Sequence, residues 1–416
     1  MTGDEPPPQD ELYEQKDEAY FSYYSMLTHQ AQMLQDSVRT SAYQTAILKH
    51  SVPFFQGKKI MDVGAGNGIL SLFSIQAGAS VVYAVEASGV VGCLHKLVQA
   101  ASGDAETASN PWLRDRLAVV HSRVEDVTPK LLQTCTPPAA PAADGKVDTI
   151  VSECLGVVRR TLTQLLVHER MCESFIEARD KFLRPDGAVF PRTGTLCFSL
   201  LTDARLWQEV RSRGEWWNTD NFYGVDLTPF LEASRAEAFS SPVVGCFSPV
   251  HIVGAQTDLN TSAIICPEDA VNRYLVDFST ISLENLRTFD VPIALDCVAE
   301  PVVVHGLGAW FDLSFLQPGE EEEDDMDPKN AMTTSPFAPP THWAQVRLLF
   351  SEPLALNIGQ QVMGTLHFQV NESRSYDIFA NLYVPLSNES PDVPLFRRTA
   401  HWKLDKQTYS WETPGA

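Results

Sequence analysis

Met61-Asp62-Val63-Gly64-Ala65-Gly66-Asn67-Gly68-Ile69-Leu70-Ser71 is a short apolar run that passes through three alternating glycines into a helical pattern. Glycine at these positions permits a tight turn and close approach of backbone to a ligand, and the helix that follows offers unpaired N–H groups at its start. Eighteen residues after Gly68 the next apolar run ends in Val85-Glu86, where an acidic side chain can bridge the two hydroxyls of a ribose. Dinucleotide enzymes share this layout, so NAD has to be weighed against S-adenosylmethionine. The spacing G-x-G-x-G, rather than G-x-G-x-x-G, favours the methyl donor, which has no pyrophosphate to cradle. Gly64, Gly66 and Glu86 are therefore the first candidate cofactor residues.

Outward from this turn, Lys59–Val63, Val81–Val85, Leu117–His121 and Val147–Ser152 read as strands alternating with helical windows. The alternation predicts an open, mostly parallel sheet of Rossmann-like class, with ligands at the carboxyl ends of its strands. A helical cap over Tyr20–Leu48 precedes it, and residues 1–17, acidic and proline-rich, read as a disordered leader. After Phe190-Pro191 the pattern changes to helical windows at Asp203–Arg213 and Pro229–Phe239 and then to short β-rich runs, such as Val302–His305 and Gln345–Phe350. The expected organisation is an α/β domain over residues 18–190 followed by a β sandwich or barrel over 191–416. Residues 319–328 (GEEEEDDMDP) form an acidic loop within the second domain.

Composition narrows the function classes. The 416 residues are 44% hydrophobic and 20% charged, an ordinary globular balance, and the net charge of −22 repels phosphate backbones and anionic lipid while favouring basic partners. No direct nucleic-acid contact is expected. Eight scattered cysteines without C-x-x-C or histidine pairs at ligand spacing read as buried reduced thiols, with no metal site. No stretch approaches eighteen apolar residues and the first residues lack an apolar signal region, so the expectation is a cytosolic or nuclear protein with no membrane span.

Several motifs in series resemble the protein arginine methyltransferases in order and approximate spacing. They are YFSYYSM at Tyr20–Met26, MLQDSVRT at Met33–Thr40, the glycine stretch at Met61–Ser71, YAVEAS at Tyr83–Ser88, VEDV at Val124–Val127, Ser152-Glu153, HERM at His168–Met171 and PPTHW at Pro339–Trp343. FYGVDL (Phe222–Leu227), VHGLGAWFD (Val304–Asp312) and THWAQVRLLF (Thr341–Phe350) look closest to the coactivator-associated, type I branch. The resemblance spans about residues 18 to 385. It implies a class I methyltransferase domain that uses S-adenosylmethionine, a β-barrel domain, and a helical arm near Asp203–Phe239 that docks on a second subunit. It also implies roles for single residues: Arg39 on the methionine carboxylate, Glu86 on the ribose, Glu125 on the adenine, Tyr20 and Tyr24 as lids over the cofactor, and His342 lining the arginine pocket.

Methyl transfer to arginine brings two cationic reactants together, so the site must supply negative charge and aim one nitrogen. Two carboxylates gripping a planar guanidinium do both. By the motif match these are Glu153 and Glu169. They lie 16 positions apart where the family pattern has about nine, so roughly seven residues, Arg159–Leu165, are extra. Loop-closure entropy tolerates this length, but a displacement of about 1 Å at the reacting atoms can lose roughly a hundredfold in rate. Leu155, Val157 and Ser22 also depart from the family pattern, and Arg159 and Arg160 could pair with Glu153 or Glu169 or equally stand as solvated loop residues. The expectation that follows is a divergent subunit, non-catalytic or weakly active, that pairs with a catalytic arginine methyltransferase paralogue and through it with arginine-rich substrates. The alternative is an active type I enzyme. A small-molecule methyltransferase is disfavoured by the β domain and the THW segment.

Overall fold

A computed structural model describes residues 21–103, 108–141, 144–153, 165–167, 170–258, 264–265, 268–296, 300–320, 330–373, 375–387 and 390–411. The leader, Tyr20, the segment carrying Leu155, Val157, Arg159 and Arg160, Glu169, and most of the acidic loop lie outside these residues.

The four expected strands are present, with the second running one residue further, to Glu86. With β1 (Lys59–Val63), β2 (Val81–Glu86), β3 (Leu117–His121), β4 (Val147–Ser152) and β5 (Leu183–Phe190), the sheet order is β3-β2-β1-β4-β5 and every pairing is parallel. Their near-continuous apolar content follows from burial on both faces: every residue of β2 is buried. The chain order reverses between β1 and β4, so a crevice opens at their carboxyl ends, where Gly64 and Glu153 emerge.

The expected helical cap is broken twice: residues 21–24 are helical and end in a turn at Ser25, and two helices follow, Leu27–Gln35 and Ser37–Lys49. Asp36 between them is extended (φ −68°, ψ 95°), and its carboxylate accepts the Arg39 backbone N–H at 3.0 Å, a capping bond that begins the second helix. Tyr43 on that helix donates to the Ser152 carbonyl (3.1 Å) and Ser152 Oγ to the Val63 carbonyl (2.7 Å), tying the helix to the ends of β4 and β1.

Beyond β5 the chain builds two antiparallel layers. One has Thr193–Leu201, Asn272–Asp277, Val302–Ser314 and Val346–Leu356 as its long strands; the other comprises Thr288–Asp296, Gln361–Val370, Tyr376–Ser387 and Ser390–Lys403. The strict alternation of exposed and buried residues along Thr288–Asp296 marks one face as core. Phe198 and Phe368 meet across the layers (6.2 Å), and Trp402 Nε1 donates to the Leu349 carbonyl (3.0 Å). Gly306 pairs where a Cβ would lie 2.2 Å from the Leu348 carbonyl oxygen, so only glycine allows the two strands to approach there. Tyr43–Phe315 and Phe175–Phe278 contacts join this body to the parallel sheet.

The excursion from Asp203 contains helices Ala204–Glu215 and Leu231–Ser240, held together by Arg235, which donates to Glu215 from Nε (3.0 Å) and Nη2 (2.8 Å). At its tip Trp216 meets Trp217 (5.0 Å) and Phe222 (5.6 Å), and Phe222 meets Tyr223 (4.8 Å). Tyr223 is 93% exposed. The expected reduced cysteines are free where described, but only Cys172 and Cys197 are buried. Cys93, Cys135 and Cys246 are partly buried, and Cys135 packs against the main core. Among the described residues no helix is long and apolar enough to cross a membrane, and no His, Cys, Asp and Glu cluster is arranged to hold a metal.

Beneath the glycine turn, Asp62 is 1% exposed and accepts from Ser71 Oγ at 2.7 Å, with Oδ1 unpartnered. Burial, opposed by the Ser71 hydrogen bonds and Arg39 and reinforced by the charge of Glu86, pushes its carboxyl up from the ordinary 3.8 to about 7. The folded chain therefore binds a proton here that the unfolded chain releases. The stabilisation is complete below about pH 4 and is lost as pH rises through about 7. Asp62→Asn is expected to flatten the decline of the thermal midpoint across that window. An unchanged slope in the variant contradicts a neutral Asp62.

Candidate active site

The carboxyl ends of β1, β2 and β4, the start of helix Met171–Phe182 and the two N-terminal helices enclose one cavity. Arg39, Gly64, Gly66, Glu86, Glu125 and Glu153 all line it, as do Phe21, Tyr24, Gln30, Met171 and Ser174. Six residues chosen from distant points of the sequence thus share one space. Tyr20 and Glu169 fall outside the described residues.

Gly64, Gly66 and Gly68 have φ of +72°, +56° and +88°, the left-handed region that side chains rarely adopt. The turn they make aims the Gly66 N–H at Glu86 Oε2 (2.7 Å), while the Ser88 N–H reaches Oε1 (2.6 Å). Each oxygen keeps a lone pair free for a hydroxyl donor. Glu86 is the last residue of a buried strand, which is why a 7%-exposed carboxylate stands in the crevice rather than in solvent.

Across the cavity, Arg39 Nη2 donates to Glu153 Oε2 at 3.0 Å, with the two side chains only 7% and 9% exposed. Resemblance assigned these residues to different partners, one to a cofactor carboxylate and the other to a substrate guanidinium. The structure joins them to each other. Pairing of Glu153 with an internal arginine was anticipated from Arg159 and Arg160; among the described residues Arg39 fills that part, because the first turn of its helix faces the end of β4. Arg39 Nε is buried without a partner. A buried guanidinium N–H left unmet is costly, and an incoming carboxylate would satisfy it.

Glu125 accepts a hydrogen bond from Ser174 Oγ, and the Lys181 ammonium holds the Glu125 backbone carbonyl (2.7 Å). His342, which the resemblance gives to the arginine pocket, is not among the residues lining this cavity. Its Nδ1 lies 2.6 Å from Asp36 Oδ2, which also accepts the His342 backbone N–H (2.8 Å). Asp36 is drawn up by burial but held below its ordinary value overall by the His342 side chain and the N–H groups of Arg39 and His342. The Asp36 carboxylate faces Nδ1, and Nε2 is buried without a partner. Asp36 thus links His342 to the turn that carries Arg39.

Sequence reading missed Gln30, Asp36 and Ser174. Gln30 is 2% exposed; its Oε1 accepts from the Asn67 side chain (2.8 Å) and backbone (3.1 Å), and its Nε2 donates to the Tyr24 carbonyl (2.9 Å). It therefore fastens the N-terminal segment to the glycine turn. Asp36 carried a readable signal, an acidic residue directly before a helical run. Gln30 and Ser174 carried none, since each looks like an ordinary polar position on a helix.

Residues 193–383 match the model of the arginine methyltransferase oligomerization subdomain. The chain is 35% identical over 392 residues to a probable histone-arginine methyltransferase CARM1 of Oryza sativa subsp. indica, across 94% of this chain and 64% of that protein. It is 33% identical over 365 residues to histone-arginine methyltransferase CARMER of Drosophila ananassae, across 88% and 58%. The chain thus spans just under two thirds of the length of these curated relatives. Among solved structures it resembles the Trypanosoma brucei PRMT1 enzyme-prozyme heterotetrameric complex with AdoHcy (TM-score 0.67, 26% identity, 91% of this chain and 99% of that one). It also resembles the open conformation of Arabidopsis thaliana protein arginine methyltransferase 10 (TM-score 0.68, 27% identity, 92% and 99%). Motif order, sheet topology, the converging charged cavity and these relatives agree: the chain belongs to the protein arginine methyltransferase family.

Proposed function

We propose that the chain binds S-adenosylmethionine in this cavity and, within an oligomer, methylates arginine side chains of basic proteins. The observation that carries this reading is the convergence of Arg39, Glu86, Glu125 and Glu153, from four separate segments, on one largely buried space. The residues fit the cofactor: Glu86 for the ribose hydroxyls, the Gly64–Gly66 turn for close approach, Glu125 with Ser174 for the adenine, and the unmet Arg39 Nε for the carboxylate. When bound, S-adenosylmethionine supplies an electrophilic sulfonium methyl.

The chain's own residues do the rest. Glu153, with Glu169 as the motif-assigned second carboxylate, grips the guanidinium and fixes which nitrogen faces the methyl, and its charge is worth more in a water-poor cavity. The net charge of −22 suits a basic substrate. Oligomerisation runs through the arm, whose tip presents Trp216, Phe222, Tyr223 and Phe230 to solvent.

A second reading has the same fold serving as the activating partner of a catalytic paralogue. It is favoured by the 16-position interval between Glu153 and Glu169, by the occupation of Glu153 by Arg39, and by likeness to a structure titled as an enzyme-prozyme complex.

Labelled-methyl transfer to an arginine-rich peptide, by the chain alone and mixed with paralogues, separates the two. If this chain catalyses, Glu153→Gln lowers transfer by roughly 10²–10³-fold in either setting, the scale of losing a transition-state electrostatic contact. If it only activates, the mixture keeps its rate. In both readings Glu86→Ala weakens S-adenosylhomocysteine binding by roughly 10- to 100-fold, the range for hydrogen bonds to a charged group, and unchanged affinity by calorimetry removes Glu86 from the site.

For the arm, replacing Trp216 and Trp217 together by Ala is expected to dissociate the oligomer, because clustered aromatic anchors dominate interfaces. A mass unchanged by light scattering, with the far-UV spectrum intact, contradicts that role.

A further inference from the structure

Helix Met171–Phe182 begins immediately after Arg170, a non-glycine residue held at φ 59°, ψ 20°. Its first turn is the part that matters for the cavity. Met171 and Ser174 line the pocket, the Met171 methyl lies 3.4 Å from where a Cβ on Gly64 would stand, and Ser174 is the donor to Glu125. The same turn carries Glu173, which faces away from the cavity and is only 8% exposed.

Two guanidinium groups converge on that carboxylate. Arg170 donates through Nε to Oε1 and through Nη2 to Oε2 (2.8 Å), and Arg287 donates to Oε2 through Nε (2.9 Å) and Nη2 (2.7 Å). Burial drives the Glu173 carboxyl up, but the two arginines outweigh it and hold it below its ordinary range, so the group is charged. Arg170 belongs to the same helix start. Arg287 belongs to the β domain: it closes the short helix Leu283–Arg287 just before strand Thr288–Asp296. Its neighbour Leu286 is fully buried, and the Leu286 carbonyl accepts the Tyr376 hydroxyl at 2.9 Å. The cation is therefore offered from a fixed point of the β domain.

We infer that Arg287 and Glu173 are positioning residues for the adenine side of the cofactor pocket: the β domain sets the first turn of the helix, and with it Ser174 against Glu125 and Met171 against the glycine turn. This rests on the proposal that the cavity holds S-adenosylmethionine. A bond that merely glued the two domains would behave differently. Its loss would lower stability and leave ligand affinity alone, since Arg287 does not line the cavity and its side chain is half exposed.

The test is calorimetry of S-adenosylhomocysteine binding to the full chain and to Arg287→Ala, Arg287→Lys, Ser174→Ala and the Arg287→Ala, Ser174→Ala pair, with thermal midpoints alongside. Arg287→Ala is expected to weaken binding about tenfold and Arg287→Lys to recover part of it. The double variant should lose less than the product of the single losses, because both changes act through one helical turn. Unchanged affinity with a lowered midpoint, or multiplicative losses with Ser174→Ala, overturns the inference. If the unaltered chain binds no S-adenosylhomocysteine, the functional proposal fails instead, and hydrogen exchange over residues 171–175 decides the positioning role. Faster exchange in Arg287→Ala supports it, and unchanged exchange refutes it.

Discussion

The Arg39–Glu153 ion pair is the constraint around which the site is organised. Both side chains are almost fully buried, so each charge has forfeited most of its hydration and depends on the other. Removing one partner from a buried pair costs several kcal/mol, typically about 3–5, because the survivor loses its counter-charge. Arg39 keeps an unmet Nε for an incoming carboxylate, but its bond to Glu153 is given up only in exchange for partners of the same charges. A carboxylate for Arg39 and a guanidinium for Glu153 make that exchange without stranding a charge. The two ligands of the proposed reaction are thereby coupled through one internal contact.

The rest of the molecule holds that contact in place. Tyr43 and the Asp36 cap fix the helix bearing Arg39, and Ser152 fixes the strand end bearing Glu153. From the other side, the β domain reaches the cavity through His342, on the Asp36 carboxylate, and through Arg287, on Glu173. Domain packing and site geometry are therefore one problem in this fold.

Much of this was legible in the sequence. The glycine turn and Glu86 follow from backbone sterics and strand length, both local properties, and the four strands with their parallel order follow from alternation with helices. Arg39, Glu125 and Glu153 were reached through serial motifs and do line one cavity. What escaped was pairing across distance. No local signal states that Arg39 meets a residue 114 positions away, or that Glu173 meets Arg287 at the same separation. Nor does a local signal state that His342 meets Asp36, 306 positions away. The break in the N-terminal cap at Asp36 is of the other kind: its capping bond to the Arg39 N–H is local, and an acidic residue before a helical run is a readable signal.

The most direct measurement compares the affinity of an arginine-rich peptide for the full chain in the presence of saturating S-adenosylhomocysteine and of saturating 5′-methylthioadenosine, which shares the nucleoside but lacks the carboxylate. If Arg39 must be given a carboxylate before Glu153 is released, S-adenosylhomocysteine raises peptide affinity roughly 5- to 100-fold over the chain alone, the ordinary range for coupled sites. On the same account 5′-methylthioadenosine leaves peptide affinity unchanged. Equal enhancement by the two nucleosides, or none by either when both bind, would contradict the account.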